Sequence, residues 1–180
     1  ENYKKAIALK PDFAEAYNNL GATLYDLDKL EEALKYINQA ILLKPKYPEA
    51  YFGLANTLKD LRRLEEAFIN YEKAIILKPD YAEAHHNWGR ALLLNNEFEK
   101  ANKLMEWRWQ TDQTIGIPFN TTRPKWDGIT NQKILLWREQ GIGDEIMFSA
   151  SISDLKSKSK ALLVECDQRL MPLFKRSMPD

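Results

Sequence analysis

The sequence has little of several features that would point to particular classes of protein. It contains one cysteine, Cys166, so an internal disulfide cannot form and a reducing, cytoplasmic compartment is expected. Lysine plus arginine equals aspartate plus glutamate, at 26 residues each, so the basic excess of a nucleic-acid-binding surface is missing. No apolar run is long enough to span a membrane. The two histidines, His85 and His86, are adjacent and cannot share a metal ion from one helix face, so no metal site is predicted.

What the sequence does contain is a repeat with a period of 34 residues. Its most regular members are three Lys-Pro pairs and three alanines: Lys10-Pro11, Lys44-Pro45, Lys78-Pro79, Ala33, Ala67 and Ala101. Small residues at fixed positions let neighbouring helices approach closely, and proline is tolerated at the start of a helix but not inside it. A period of 34 with these features is typical of tetratricopeptide repeats, in which each unit is a pair of amphipathic helices.

The amino-terminal part of the chain, residues 1–113, resembles this family and is expected to form an all-α tetratricopeptide superhelix. The predicted units are a half repeat over 1–13, full repeats over 14–47 and 48–81, and a degenerate repeat over 82–115. A degenerate last repeat suits a terminal unit or one that docks onto another domain. The chain begins at Glu1 within a helical pattern, so we expect it to be a piece of a longer protein, truncated at both ends.

In this family the first helix of each pair lines a concave face that binds a protein or peptide. By analogy, that face would offer Asn18, Asn19, Tyr25, Phe52, Asn56, Lys59, His86, Asn87 and Arg90. Asn19, Asn56 and Asn87 resemble the asparagine ladder of O-linked N-acetylglucosamine transferases, which holds the backbone of extended peptides, although Gly53 interrupts the pattern. The alternative is that these are ordinary polar residues on a solvated surface.

The carboxy-terminal part, after a connector over 114–131, predicts the start of an α/β domain over 132–180. Apolar runs at 134–137 and 161–164 predict two parallel strands, each followed by a helix, in a partial Rossmann-like β-α-β-α unit. The second of these helices is predicted over 167–178. Two strands cannot form a complete parallel sheet, so their exposed edges predict either further strands beyond this chain or self-association.

Three separated motifs carry a second resemblance: Glu106-Trp107-Arg108-Trp109, Pro124-Lys125-Trp126-Asp127-Gly128, and Leu136-Trp137-Arg138-Glu139-Gln140-Gly141-Ile142-Gly143-Asp144. In this order they resemble bacterial tetratricopeptide proteins with a glycosyltransferase-like domain, similar to the heptosyltransferase group of the GT-B fold. The resemblance implies that Asp144 is the base that deprotonates an acceptor hydroxyl. It also implies substrate contacts from four residues of the preceding loop: Glu139, Gln140, Gly141 and Gly143. The alternative for Asp144 is a plain helix cap.

Two functions of different classes follow from these patterns. In the first, the chain is part of a glycosyltransferase whose repeats recruit a protein or glycan acceptor. The longer protein would then use a nucleotide sugar, and this fragment, without the nucleotide-sugar half, would need no cofactor and be inactive. In the second, the chain is a non-enzymatic scaffold for protein–protein interaction. A sulfotransferase is less favoured, because the loop lacks a phosphate-binding cradle.

Overall fold

A computed structural model of the protein describes residues 1–111, 126, 128–129, 131–136 and 149–177. The chain divides into two compact units, Glu1–Asp112 and Gln113–Asp180. The first unit holds the predicted repeats, and the second holds the predicted α/β segment. Within the described residues, no helix is both long and apolar enough to cross a membrane.

The first unit is built from short helices that pack against their neighbours in sequence. These are α1 (Asn2–Leu9), α2 (Ala14–Asp26), α3 (Leu30–Leu43), α4 (Pro48–Asp60), α5 (Leu64–Leu77), α6 (Ala82–Leu94) and α7 (Phe98–Met105), followed by a 3₁₀ helix over Glu106–Gln110. The most extensive contacts join α2 to α3, α4 to α5 and α6 to α7. The helical character predicted for this part of the chain is therefore confirmed.

Small residues stand where the two helices of a pair touch. Ala33, Ala67 and Ala101 are fully buried at equivalent positions of the three second helices. On the facing helix α2, a methyl group added at Gly21 would lie 2.4 Å from Cγ1 of Ile37, well inside van der Waals contact. The 34-residue period of small residues is thus a period of close helix–helix approach.

The turn between the two helices of each pair has the same backbone geometry in all three repeats. Asp28, Arg62 and Asn96 have φ angles of 58°, 63° and 59°, in the left-handed region. In each turn the next residue donates its N–H to the carbonyl oxygen five residues earlier, at 2.9, 2.9 and 3.0 Å. This bond pattern closes the end of a helix and is usually made with glycine at the left-handed position. Arginine is the least suited of the three residues to that conformation.

The junction between successive repeats is held by a lysine stacked on an aromatic ring. Nζ of Lys44 lies 4.4 Å from the ring centroid of Tyr47, and Nζ of Lys78 lies 4.5 Å from that of Tyr81. These two tyrosines are 8% and 9% exposed, whereas the equivalent Phe13 is 37% exposed. The Lys-Pro-x-aromatic motif therefore places a cation–π contact at the start of each new repeat.

The described residues of the second unit include two parallel strands, β1 (Lys133–Leu136) and β2 (Ala161–Val164), in the register Ile134↔Leu162. A 3₁₀ helix over Ser149–Ser151 and helix α8 (Ile152–Lys158) lie between the strands in sequence. The parallel pair was predicted and is confirmed. The rest of the Rossmann-like unit stays a prediction, because residues 137–148, which carry its first loop, lie outside the described residues.

The last helix of the second unit is shorter than predicted. Helix α9 spans Met171–Ser177, whereas the apolar pattern had predicted a helix from residue 167. Asp167 instead accepts hydrogen bonds from the backbone N–H and the guanidinium of Arg169, each at 2.9 Å. An aspartate bonded to the backbone two residues on favours a turn over a helix, which explains the later start.

Candidate functional site

The candidate site is the surface formed by side chains of α2, α4 and α6, here called the first-helix surface. These are the first helices of the three repeats, and α4 contacts both α2 and α6. They carry every residue that was predicted to line the concave face. Two groups of side chains connect neighbouring helices across this surface.

The first group centres on Asp60, at the end of α4. Its carboxylate accepts a hydrogen bond from the Tyr25 hydroxyl at 2.5 Å and forms an ion pair with Nζ of Lys59 at 2.6 Å. Burial by itself would raise the pKa of Asp60, but the bonds from Lys59 and Tyr25 outweigh it and hold the pKa below its ordinary value. Burial and the nearby carboxylate raise the pKa of Tyr25 to about 12. Asp60 is therefore an anion with its charge already satisfied.

The second group centres on the side-chain oxygen of Asn56. Oδ1 of Asn56 accepts the Tyr71 hydroxyl at 2.6 Å and the Asn87 amide Nδ2 at 3.0 Å. Tyr71 is fully buried, and burial raises its pKa, so its hydroxyl is a permanent donor. With these two donors in place, the Nδ2 atom of Asn56 and the Oδ1 atom of Asn87 have no partner within the described residues. One amide thus offers a donor and its neighbour an acceptor.

Helix α6 contributes one exposed cation to the surface, Arg90. Arg90 is exposed and forms no ion pair within the described residues, although its charge contributes to the lowered pKa of Asp60. His86 is half-buried, and burial together with the charges of Arg90 and Arg108 lowers its pKa. A neutral imidazole therefore lies beside an exposed guanidinium, and this arrangement favours an anionic partner group.

The other predicted contact residues are placed differently. Asn19 is exposed, its backbone carbonyl accepts a hydrogen bond from the Thr23 hydroxyl at 2.8 Å, and its side-chain amide forms no hydrogen bond within the described residues. Asn18 is half-buried. The ring of Phe52 packs against Tyr81, the residue that precedes α6, with centroids 5.0 Å apart. Of the three asparagines in the predicted ladder, the structure therefore joins Asn56 and Asn87, and does not join Asn19 to them.

The two histidines differ in their contacts. His85 stacks on Trp107 with ring centroids 4.0 Å apart, and its Nε2 atom lies 2.9 Å from the carbonyl oxygen of Pro79. His85 therefore packs against the 3₁₀ helix that follows α7. Within the described residues, no cluster of three or more histidine, cysteine, aspartate or glutamate side chains could hold a metal ion.

The residues predicted for the transferase chemistry are not among those that the structure describes. Asp144, the predicted base, and the loop residues Glu139, Gln140, Gly141 and Gly143 all lie in the segment 137–148. Their roles stay predictions.

Two members of the site were missed from the sequence. Asp60 follows the predicted Lys59 and recurs as Asp26 one period earlier, a signal that was available. Tyr71 occupies the position held by Ile37 in the preceding repeat. A tyrosine in place of a buried aliphatic residue signals that its hydroxyl has a partner inside the fold.

Two family profiles match the chain, "TPR repeat" over residues 1–28 and "Tetratricopeptide repeat" over residues 23–82. Tetratricopeptide repeats are therefore present, as predicted. Neither profile extends past residue 82, so they give no support to the glycosyltransferase resemblance. No protein of curated function matches the chain.

Among solved structures, "Crystal structure of MamA" is 26% identical with a TM-score of 0.54, over 58% of this chain and 61% of that one. "MamA 41-end from Desulfovibrio magneticus RS-1" is 23% identical with a TM-score of 0.54, over 62% of this chain and 65% of that one. The second likeness concerns the fold alone. The chain thus spans less than two thirds of the length of either structure.

Proposed function

We propose that this chain is a scaffold for protein–protein interaction and that its first-helix surface binds an extended segment of a partner protein. The observation that carries the proposal is the bonded pair Asn56–Asn87, whose remaining amide atoms are available on neighbouring helices. The tetratricopeptide repeats support it further, because stacked repeats of this kind create extended binding surfaces.

The chemistry of the pair suits a peptide backbone. An extended segment presents N–H and C=O groups in alternation, and these need an acceptor and a donor respectively. Oδ1 of Asn87 would accept from a backbone N–H, while Nδ2 of Asn56 would donate to a backbone C=O. Because Oδ1 of Asn56 is already bonded to Tyr71 and Asn87, the pair is pre-oriented and loses little side-chain entropy on binding.

The charge on the surface adds a preference for an acidic partner. Asp60 is bonded by Lys59 and Tyr25, so it contributes little repulsion, and Arg90 forms no direct ion pair within the described residues, although it is near enough to help lower the pKa of Asp60. A glutamate or aspartate in the bound segment would pair with the guanidinium of Arg90. The proposed partner is therefore an extended segment with at least one acidic side chain.

The test begins with peptides selected from a random display library against the chain. The affinity of the best peptide is then measured by fluorescence polarisation for the wild type and three variants. Asn87→Ala is expected to weaken binding by about threefold to tenfold, the effect of one lost hydrogen bond. Arg90→Gln is expected to weaken acidic peptides by about twofold to fivefold, with a smaller effect at high salt. Asn38→Ala, at an exposed position of α3, is the control and should change nothing.

Failure to select any peptide would contradict the proposal. So would a selected peptide whose affinity is equal for the wild type, Asn87→Ala and Arg90→Gln, since it would bind elsewhere. Circular dichroism of each variant separates a lost contact from a lost fold.

The glycosyltransferase is the second candidate, and one observation favours it. The parallel pairing of β1 with β2, with α8 between them in sequence, is also found in the first half of a doubly wound sheet. In this proposal the longer protein transfers a sugar from a nucleotide donor to a protein or glycan acceptor, with Asp144 as base. Nucleoside diphosphate release from a panel of nucleotide sugars should fall by about two orders of magnitude in Asp144→Ala. Absence of both turnover and nucleotide binding in the longer protein would leave only the scaffold.

A further inference from the structure

The second unit contains a cleft of about 620 Å³ between α8, β2 and α9. Its apolar lining includes Ile152, Leu162, Val164 and Phe174. These side chains are buried or half-buried, with Ile152 the most buried at 8% exposure. A cleft of this size is within the range of small-molecule sites, which are commonly apolar with a few polar groups at fixed places.

The alternation of side chains along β2 explains the apolar lining. Leu162 and Val164 point to one side of the strand and line the cleft, whereas Leu163 points to the other side and is 68% exposed. Helix α8 contributes Ile152 to the lining, and helix α9 contributes Phe174. The cleft is therefore built on one face of the strand pair.

Lysines from three different segments also line the cleft. Lys156 belongs to α8, Lys160 directly precedes β2, and Lys175 belongs to α9, and all three are exposed. No acidic side chain is among the described residues that line the cleft. The Asp167 carboxylate, which does not line the cleft, is bonded to Arg169, and neither Lys160 nor Lys175 forms an ion pair within the described residues. The charges of Lys160 and Lys175 are thus left without a counter-ion among the described residues.

We propose that this cleft binds an anionic amphiphile, a molecule with a carboxylate or phosphate head group and an apolar tail. The tail would cover the side chains of Leu162, Val164 and Phe174, and the head group would contact Lys160 and Lys175. A free inorganic anion would leave the apolar lining exposed to water, and a neutral lipid would leave the charges of Lys160 and Lys175 without a counter-ion. Both halves of the ligand are therefore required by the lining. This inference is independent of the function proposed for the repeats.

The experiment compares three molecules with the same dodecyl tail, each below its micelle concentration: dodecyl phosphate, dodecanoate and dodecyl maltoside. Binding to the whole chain is measured by titration calorimetry. In parallel, the methyl group of Met171, which lines the cleft, is followed by NMR in protein with labelled methionine. Met105, in α7 of the first unit, is the internal reference.

The matched variants distinguish the effect of the lysines that line the cleft from the effect of the overall charge of the chain. Loss of one exposed ion pair is expected to weaken binding by about threefold, so K160Q combined with K175Q should weaken either anion by about tenfold. K158Q removes an exposed lysine of α8 that does not line the cleft, and it should leave the affinity unchanged. Circular dichroism confirms that each variant is folded.

Saturable binding of one or both anions, with a shift of the Met171 methyl and a weaker double variant, supports the proposal. If only one anion binds, the head group is identified as carboxylate or phosphate. The proposal is overturned if neither anion shifts the Met171 methyl, if the maltoside binds as tightly as the anions, or if K158Q weakens binding as much as the double variant.

Discussion

Removing the Tyr71 hydroxyl measures the contribution of one hydrogen bond of the candidate site to stability. Tyr71 is fully buried, and its hydroxyl donates to Oδ1 of Asn56 at 2.6 Å. Tyr71→Phe keeps the ring and its packing and removes only this donor. Oδ1 of Asn56 still accepts from Asn87 at 3.0 Å, so it is not left as a buried atom without a partner. The cost is therefore that of one net hydrogen bond, about 0.5–1.5 kcal/mol, and not the larger penalty of an unsatisfied acceptor.

Urea unfolding followed by circular dichroism measures this cost as a change in the free energy of unfolding. Tyr36→Phe is the control, because the ring of Tyr36 packs against Tyr17 at 6.3 Å while its hydroxyl has no hydrogen bond within the described residues. We expect a change near zero for the control. In thermal unfolding, the expected loss in Tyr71→Phe corresponds to a drop of about 4–8 °C for each kcal/mol in a unit of this size.

A second substitution tests whether the two hydrogen bonds to Asn56 depend on each other. Asn87→Ala removes the other donor, so the double variant with Tyr71→Phe leaves Oδ1 of Asn56 with neither bond. The double variant should then lose more stability than the sum of the single variants, by about 0.5–1 kcal/mol. The described network would be refuted if Tyr71→Phe cost no more than Tyr36→Phe, or if the two losses were additive.

Three further predictions concern the backbone, the packing and the titration of the repeats. Arg62→Gly, at the left-handed turn position, should stabilise the chain by about 0.5–1 kcal/mol in urea unfolding, and Asn96→Gly should stabilise it less, since asparagine tolerates that conformation better. Gly21→Ala should lower the free energy of unfolding by about 1–3 kcal/mol, because the added methyl overlaps with α3. Gly53→Ala is the comparison and should be neutral or stabilising, because its added methyl would have no contact closer than 3.6 Å. Equal effects of the two substitutions in unfolding experiments would argue against this packing. Because burial lowers the pKa of His86 below the usual 6.5, the unfolded chain binds its proton more readily. The stability that His86 contributes is therefore complete above about pH 6.5 and is lost as the pH falls toward the folded pKa. When the pH is lowered through this range, the free energy of unfolding should fall less in His86→Gln than in the wild type.

The helices of the first unit could be predicted because their signal is repeated. Ala33, Ala67 and Ala101 recur with one period and share one environment, the contact between paired helices. Because the same pattern occurs in three units, it can be recognised despite exceptions such as the replacement of a tyrosine by His85. The left-handed turns at Asp28, Arg62 and Asn96 follow the same period. Their side chains do not share a chemical property, so the sequence alone does not predict the left-handed conformation at these positions.

The contacts of the candidate site could not be predicted from the period. Asn56 lies three residues past Gly53, the position equivalent to Asn87, so the two amides meet across helices only because α4 and α6 are offset. In the second unit, the apolar run predicted β2, whereas the start of α9 depended on a local bond between Asp167 and Arg169. Local hydrogen bonds of this kind compete with helix formation, and they do not produce a periodic pattern in the sequence.

The bond between Asn56 and Asn87 has a mechanical consequence, because it connects helices of successive repeats. In a repeat array each unit contacts mainly its neighbours, so a small rotation at one joint accumulates along the array. Any rotation of α6 against α4 changes the distance between these two amides. A ligand that bonds to both amides at once therefore acts as a brace across the joint, and it stiffens the array against bending and twisting at the place where it binds.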